Sequence, residues 1–443
     1  VVVDGTTPPA DMSAHRARIE RICAALGENC LVLHGGDIRI RSNDTEHRFR
    51  PDSNFYYLTG IREPGAVMVL RATGDAKLTM FVRPRDRDAE IWSGRRLGPE
   101  GALQRGADAA YPLGELTERL PSLLEGASIV HMPMGVYPSL DGQVFAALEL
   151  LRRRERNGVV VPTMLADARW LLGEDRLVKD AGALTCLRQA VAISVAAHMH
   201  AMTRVRPGMY EYELEALLEH DFRRAGASGP GYSSIVGGGD NATILHYVEN
   251  DAMLLPNTLV LVDAGAEWES FSADITRTYP ISGKFTPAQR DLYAIVLAAN
   301  EAGIAMTMPG HTIDGIHQGC LRILCDGLRQ LGLIEGELDG IIEREDYKRY
   351  YMHRTSHWLG ADVHDAGHYC IARKSRPLAP GYVLTIEPGL YVSSDDPVAP
   401  RELRGCGVRI EDDVLVTDDG KEVLTRALSK QVDDLEAIVG RGQ

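Results

Sequence analysis

Between His15 and Leu26 apolar residues recur at helical spacing, and three short apolar runs follow, CLVLHG, AVMVLRA and LTMFVRP, with the pattern of strands. A further helical stretch lies near residues 138 to 154. Alternation of this kind predicts an α/β N-terminal domain. Around GEDRLVKDAGAL, residues 173 to 184, charged and small residues interrupt the pattern. The domain boundary is therefore expected there, with residues 1–176 on one side and 177–443 on the other. A long amphipathic helix is predicted from Leu184 to Arg204, ended by RPGM. Further helices are predicted from Tyr210 to Ala225, Pro287 to Met306 and Ile313 to Leu331. Four β-rich runs accompany them, TLVLVDAGA, ADITRTYPI, YVLTIEPGLYV and GVRIEDDVLV, which makes the second domain α+β. Tandem repeats of solenoid period are absent, but acid-bearing strand pairs occur near 263 and 274 and again near 387 and 411.

Composition narrows the function classes. With 443 residues, 44% hydrophobic and 25% charged, the chain can bury a sizeable core in two or three domains. A net charge of −14 argues against a general binder of nucleic acid or of anionic membranes, which selects for clustered Lys and Arg. The seven cysteines are odd in number, scattered and free of CxxC pairs, which points to reduced thiols in a cytoplasmic protein. No run approaches the ~18 apolar residues of a membrane span. The opening VVVDGTTPPADM lacks the basic start and apolar stretch of a secretory signal and is set aside from fold reasoning. The loop VGGGDN, residues 236 to 241, lacks GK[ST] and reads as a turn rather than a phosphate cradle.

Candidate chemistry concentrates in the second domain. The stretch YMHRTSHWLGADVHD, residues 351 to 365, holds His353, His357 and His364 in a chain with 14 histidines. Their spacing suits one helix face and an all-histidine zinc site. However, the HExxH pattern is missing, and Gly360 disfavours a continuous helix. Four acids, Asp263, Asp274, Glu387 and Glu411, stand in apolar strand contexts where an unpartnered carboxylate is costly. One such acid alone reads as a turn residue ending a strand. Asp263 and Asp274, eleven residues apart across AGAEWES, would face each other in a hairpin with both carboxylates in one cavity. Four acids and a histidine suit Mn²⁺, Co²⁺ or Zn²⁺ rather than a thiolate site, and they exceed what one ion needs, so a pair of ions is expected.

The ordered set of D in VLVDAG, D in ADITRTYPI, H in SHWLG, E in TIEPGLY and E in VRIEDD resembles the pita-bread metallopeptidases of creatinase/methionine aminopeptidase-like fold, which include prolidase and aminopeptidase P. Within them the sequence is most similar to bacterial aminopeptidase P, the Xaa-Pro aminopeptidases. That likeness runs through HRFRPDSNFYYLTGIREPGA and EIWSGRRLG, then through ILHYVEN, GKFTPAQR, SHWLGADVHD and GVRIEDD, and spans the chain from about residue 13. The resemblance implies a dinuclear aminopeptidase that releases the first residue of peptides with proline second, with Mn²⁺ as the foremost metal. By it, Asp263, Asp274, His357, Glu387 and Glu411 are the metal ligands, and Glu387 also takes a proton from water. His246, His353 and His364 face the substrate as catalytic residues. Trp92 reaches a neighbouring subunit's active site, Asp44 and Arg156 lie near that interface, and Arg373, rather than Arg376, fills a substrate-side arginine position. The N-terminal domain then serves oligomerisation and substrate access in a homotetramer, a dimer of dimers.

Arg409, two residues before Glu411, shares its side of the strand by alternation and is read as a partner of the ligand carboxylates. Arg354 and Thr355 depart from the family's motif, which carries Gly and Leu, and Arg354 brings charge near the pocket. Prolidase, which cuts only Xaa-Pro dipeptides, shares the five ligands, but EIWSGRRLG and the N-terminal half favour the aminopeptidase. A non-catalytic peptide-binding member of the fold is disfavoured because all five ligands are present.

Overall fold

The apolar runs of the N-terminal half close into one mixed six-stranded sheet in a computed structural model that describes residues 12–74 and 76–442. Of the opening VVVDGTTPPADM only Met12 is among the described residues, so the reading of that segment falls outside them. Across the sheet the order is Ala109–Pro112, Leu78–Val82, Val67–Arg71, Cys30–His34, Ile129–Met132 and Met164–Asp167. Cys30–His34 is antiparallel to Val67–Arg71 and parallel to Ile129–Met132. It is buried along its whole length, which is why it reads as an unbroken apolar run rather than an alternation. Leu116 and Leu120 of the helix Leu116–Leu124, and Leu140, Val144 and Leu148 of the helix Pro138–Arg154, join Val32, Val69 and Val130 in its core.

The chain divides into two compact units between Asp175 and Arg176. In the second unit one order of elements occurs twice. Helices Ala181–Arg204 and Glu211–Arg224 precede strands Ile235–Gly238, Leu259–Asp263 and Thr276–Pro280. Helices Pro287–Met306 and Ile313–Gln330 precede strands Val383–Ile386, Gly389–Val392, Cys406–Arg409 and Asp412–Val416. The long helices start where their sequences can satisfy free backbone N–H groups. Asp180 accepts from the Ala183 N–H, Thr286 and Gln289 form a reciprocal capping box with Pro287 in the first turn, and Thr312 accepts from Gly315. Leu292, Val296 and Ala299 from one helix and Ile316, Cys320 and Leu324 from the next share a core with Ile386, Leu390 and Val408. At about 1.5–3 kcal/mol per large buried aliphatic side chain, this packing makes a stiff support for the strands.

Those strands break at the four acids. Leu259–Asp263 pairs antiparallel with Thr276–Pro280, and Asp263 lies across from Thr276. The expected hairpin therefore forms, but Asp274 sits two residues nearer the turn and not opposite Asp263. Beyond Asp263 the chains approach so closely that a Cβ on Gly265 would meet the Ala273 carbonyl oxygen at 1.8 Å, so only glycine fits there. In the second ribbon Ile386 lies opposite Asp412 and Gly389 opposite Arg409, which leaves Glu387 and Glu411 in the interruption between the two ladders. The stretch from 351 to 365 is irregular rather than helical: Trp358 bridges to Leu384, and the His357 carbonyl accepts from the Thr385 N–H. The VGGGDN loop is a turn only from Gly239 onward, because Val236 to Gly238 belong to a strand.

Candidate active site

The strand breaks bring carboxylates together. Among the described residues Asp274, His357 and Glu411 each present a ligand atom, all within 4.8 Å of one another. His357 Nε2 stands 3.3 Å from Asp274 and 3.6 Å from Glu387. Asp263 accepts from the Tyr232 hydroxyl through Oδ1 and from Arg409 Nη2 through Oδ2, both at 2.6 Å. Thr276, the residue across from Asp263 in the ladder, donates to Glu411 Oε2 at 2.6 Å. Burial, then Asp274, Glu387 and Asp263, push the Glu411 carboxyl well above its ordinary value. Burial raises Glu387 to about 7 against the opposing pull of His357.

This pocket fits divalent cations. Four acids are gathered, and Arg409 pairs with the carboxylate of Asp263, so negative charge is in excess, and oxygen with one imidazole is the donor set that hard divalent ions take. His357 responds to the same excess: burial alone would push its imidazole down, but the Asp274 contact and the Glu387 charge raise it to about 9. Its Nδ1 donates to the Trp358 carbonyl oxygen at 3.0 Å, which aims Nε2 at the acids.

The other histidines differ from one another. His353 Nδ1 donates to the Arg354 carbonyl oxygen at 2.7 Å, and Nε2 accepts from the Tyr391 hydroxyl at 2.8 Å. Tyr391 in turn accepts from Arg409 Nη1 at 3.1 Å, completing a chain from Asp263 to His353. Burial, then the Arg409 charge, lower the His353 imidazole to about 3. His364 is exposed, with its ring centroid 4.3 Å from that of His357. His246 is also exposed and lies near enough to His353 and His364 to interact with both electrostatically. The segment bearing His246 is organised by Glu211, a fully buried carboxylate. It accepts from the Gly238 N–H at 2.7 Å, the Tyr247 hydroxyl at 2.8 Å, Asn241 Nδ2 at 3.0 Å and the Ala252 N–H at 2.8 Å.

Both departures from the family motif face the helix Ile313–Gln330. Thr355 is fully buried, with its hydroxyl 2.8 Å from His317 Nδ1 and 2.7 Å from the Tyr351 hydroxyl. Arg354 pairs with Asp314, so its charge is spent on that helix. Arg373 is exposed at the tip of a small hairpin with φ of 65°, whereas Arg376 is buried. Trp92, Asp44 and Arg156 belong to the first unit and are exposed, Trp92 at 90%. Sequence reasoning missed Tyr232, Thr276, Tyr391 and Glu211. Tyr391 carried no signal along the chain, because it matters only through the pairing of its strand with that of Arg409. Glu211 carried none, since a glutamate in the first turn of a helix is ordinary.

Comparison with known proteins identifies the family. Residues 185–418 match metallopeptidase family M24, and residues 15–131 match the aminopeptidase P N-terminal domain. The chain is 43% identical to an Escherichia coli (strain K12) Xaa-Pro aminopeptidase, over 93% of this chain and 94% of that one. It is similar to the structure of Pseudomonas aeruginosa aminopeptidase PepP, with a TM-score of 0.94 and 42% identity over 97% of this chain and 98% of that one. A variant of Escherichia coli aminopeptidase P in complex with substrate gives a TM-score of 0.93 and 40% identity over the same shares.

Proposed function

The chain belongs to metallopeptidase family M24, and on that premise we propose that it removes the first residue from peptides whose second residue is proline. It is a hydrolytic metallo-exopeptidase, an Xaa-Pro aminopeptidase. The observation that carries this reading is the acid pocket built on Asp263, Asp274, His357, Glu387 and Glu411, with three histidines beside it. Proline lacks the backbone N–H and fixes φ, so an enzyme that grips an extended chain by its amides cannot handle the bond before it.

The five residues would hold two divalent ions, Mn²⁺ foremost. Bound there, such ions polarise the scissile carbonyl and make water acidic enough to attack near neutral pH. The chain's own groups do the rest. Glu387, partly accessible and 3.8 Å from His353 Nδ1, takes the proton of the attacking water and passes it to the departing proline nitrogen. His246 and His364 donate to the oxygen on which negative charge develops. Asp263, fixed by Arg409 and Tyr232, meets the free amino terminus. With both ring nitrogens engaged inside the protein, His353 meets the proline side by its ring surface.

Trp92, exposed on its own unit, supports a homotetramer in which it reaches a neighbour's cleft, with Asp44, Arg156 and Arg373 on the substrate side. The N-terminal unit then governs assembly and access. Seven free cysteines suit a cytoplasmic enzyme, and among the described residues no helix is long and apolar enough to cross a membrane. Turnover of Xaa-Pro-Yaa tripeptides against matched Xaa-Ala-Yaa and Xaa-Pro peptides tests the reading. Release of Xaa from the first set is expected, and cleavage of Xaa-Pro dipeptides alone would replace it with a prolidase.

A further inference from the structure

The segment carrying His364 is tied down by three buried charges. Asp365, its neighbour in sequence, accepts from Arg176 through Oδ1 and from Lys179 through Oδ2, the latter at 2.9 Å. The side chains of Arg176, Lys179 and Asp365 are 3%, 1% and 0% exposed. Arg176 also reaches Asp362 at 2.6 Å, which balances the second positive charge. Both cations come from the first residues of the second unit, 189 and 186 positions from Asp365 in sequence. Buried ion pairs recover little net stability after desolvation, so geometry is what such a cluster most readily supplies.

The geometry it fixes leads to the site. The Asp365 N–H donates to the Trp358 carbonyl oxygen at 2.9 Å, the same oxygen that accepts from His357 Nδ1. Inside this closed loop Gly360 leaves room for the carboxylate, because a Cβ there would meet Asp365 Oδ2 at 2.1 Å. The Gly360 carbonyl oxygen accepts from the Ser272 N–H at 3.0 Å, two residues before Asp274. His357 and His364 thus flank one anchored loop, with their rings in edge contact.

We propose that Arg176, Lys179 and Asp365 are positioning residues for the peptidase reaction, a charged clamp that holds His364 beside His357 from the start of the catalytic unit. The proposal rests on the reading that His364 faces the substrate. It is tested by a double-mutant cycle on the metal-loaded full chain, with an Xaa-Pro-Yaa tripeptide as substrate and metal content measured for each variant.

His364→Ala is expected to lower kcat roughly a hundredfold. Asp365→Asn, close to isosteric, is expected to lower kcat about tenfold in the wild-type background but less than about twofold on His364→Ala, with metal content retained in both. Lys179→Gln follows the same pattern and serves where Asp365→Asn does not fold. Equal losses in the two backgrounds would overturn the clamp as a positioning device, and so would wild-type kcat in both clamp variants. An inert His364→Ala would overturn the premise instead, and is recognised from that variant alone.

Discussion

Arg409 and Asp263 meet at 2.6 Å with both side chains almost wholly buried, and through Tyr391 the same guanidinium reaches His353. Removing the cation leaves a buried carboxylate beside three other acids. Arg409→Met is therefore expected to lower unfolding stability of the metal-free protein by about 3–5 kcal/mol, read from denaturant midpoints, and to cut turnover. Arg409→Lys restores the charge but not the fork that reaches both partners, so it recovers stability more than turnover. A methionine variant as stable as wild type would show that Asp263 carries no charge in the fold.

The histidines separate by what they would hold. His357→Ala should lose bound metal and activity together, because its Nε2 is aimed at Asp274 and Glu387. His246→Ala and His364→Ala should keep their metal and lower kcat/KM about 10²-fold or more. Elemental analysis beside steady-state kinetics checks the pattern, and equal metal loss in all three would mean that His357 has no special place.

Much of this was legible in the sequence because chemistry and pattern coincide. Asp263, Asp274, Glu387 and Glu411 announced themselves as carboxylates in apolar runs, and the helices had readable caps such as Thr286 with Gln289. What stayed hidden depends on register. Thr276 matters because it lies across from Asp263, and Tyr391 because its strand pairs with that of Arg409, neither of which spacing along the chain reveals. The Arg176 and Lys179 contacts with Asp365 span nearly 190 residues and leave no local pattern. The histidine spacing in YMHRTSHWLGADVHD even pointed toward a helix that does not form, because the segment pairs with Val383–Ile386 instead.

Thr355 gives a prediction particular to this chain. Its hydroxyl joins His317 and Tyr351 where all three are buried. Thr355→Val keeps the shape but strands two polar partners, and should cost about 1–3 kcal/mol in a denaturant titration. Adding His317→Leu should recover part of that loss, whereas a further additive loss would contradict the coupling.

The clamp predicts a pH dependence. Burial alone would raise the Asp365 carboxyl, but Arg176 and Lys179 outweigh it and hold it below its ordinary value. A depressed folded value means that the unfolded chain takes up this proton first as pH falls. The contribution is therefore fully present above the ordinary carboxylate range near ~4 and is lost as pH falls through the folded value. Asp365→Asn should be less stable than wild type at neutral pH, with the gap narrowing in acid. Stability curves that stay parallel from neutral to acid would contradict the assignment.

On the proposed function the acid pocket holds divalent ions for cleavage before proline. The most direct measurement is a titration of chelator-treated protein with Mn²⁺, following hydrolysis of an Xaa-Pro-Yaa tripeptide and bound metal together. Activity absent at the start and rising to a plateau near about two ions per chain is the predicted result. Full tripeptide turnover in the metal-free protein, or a plateau at a single ion, would contradict it.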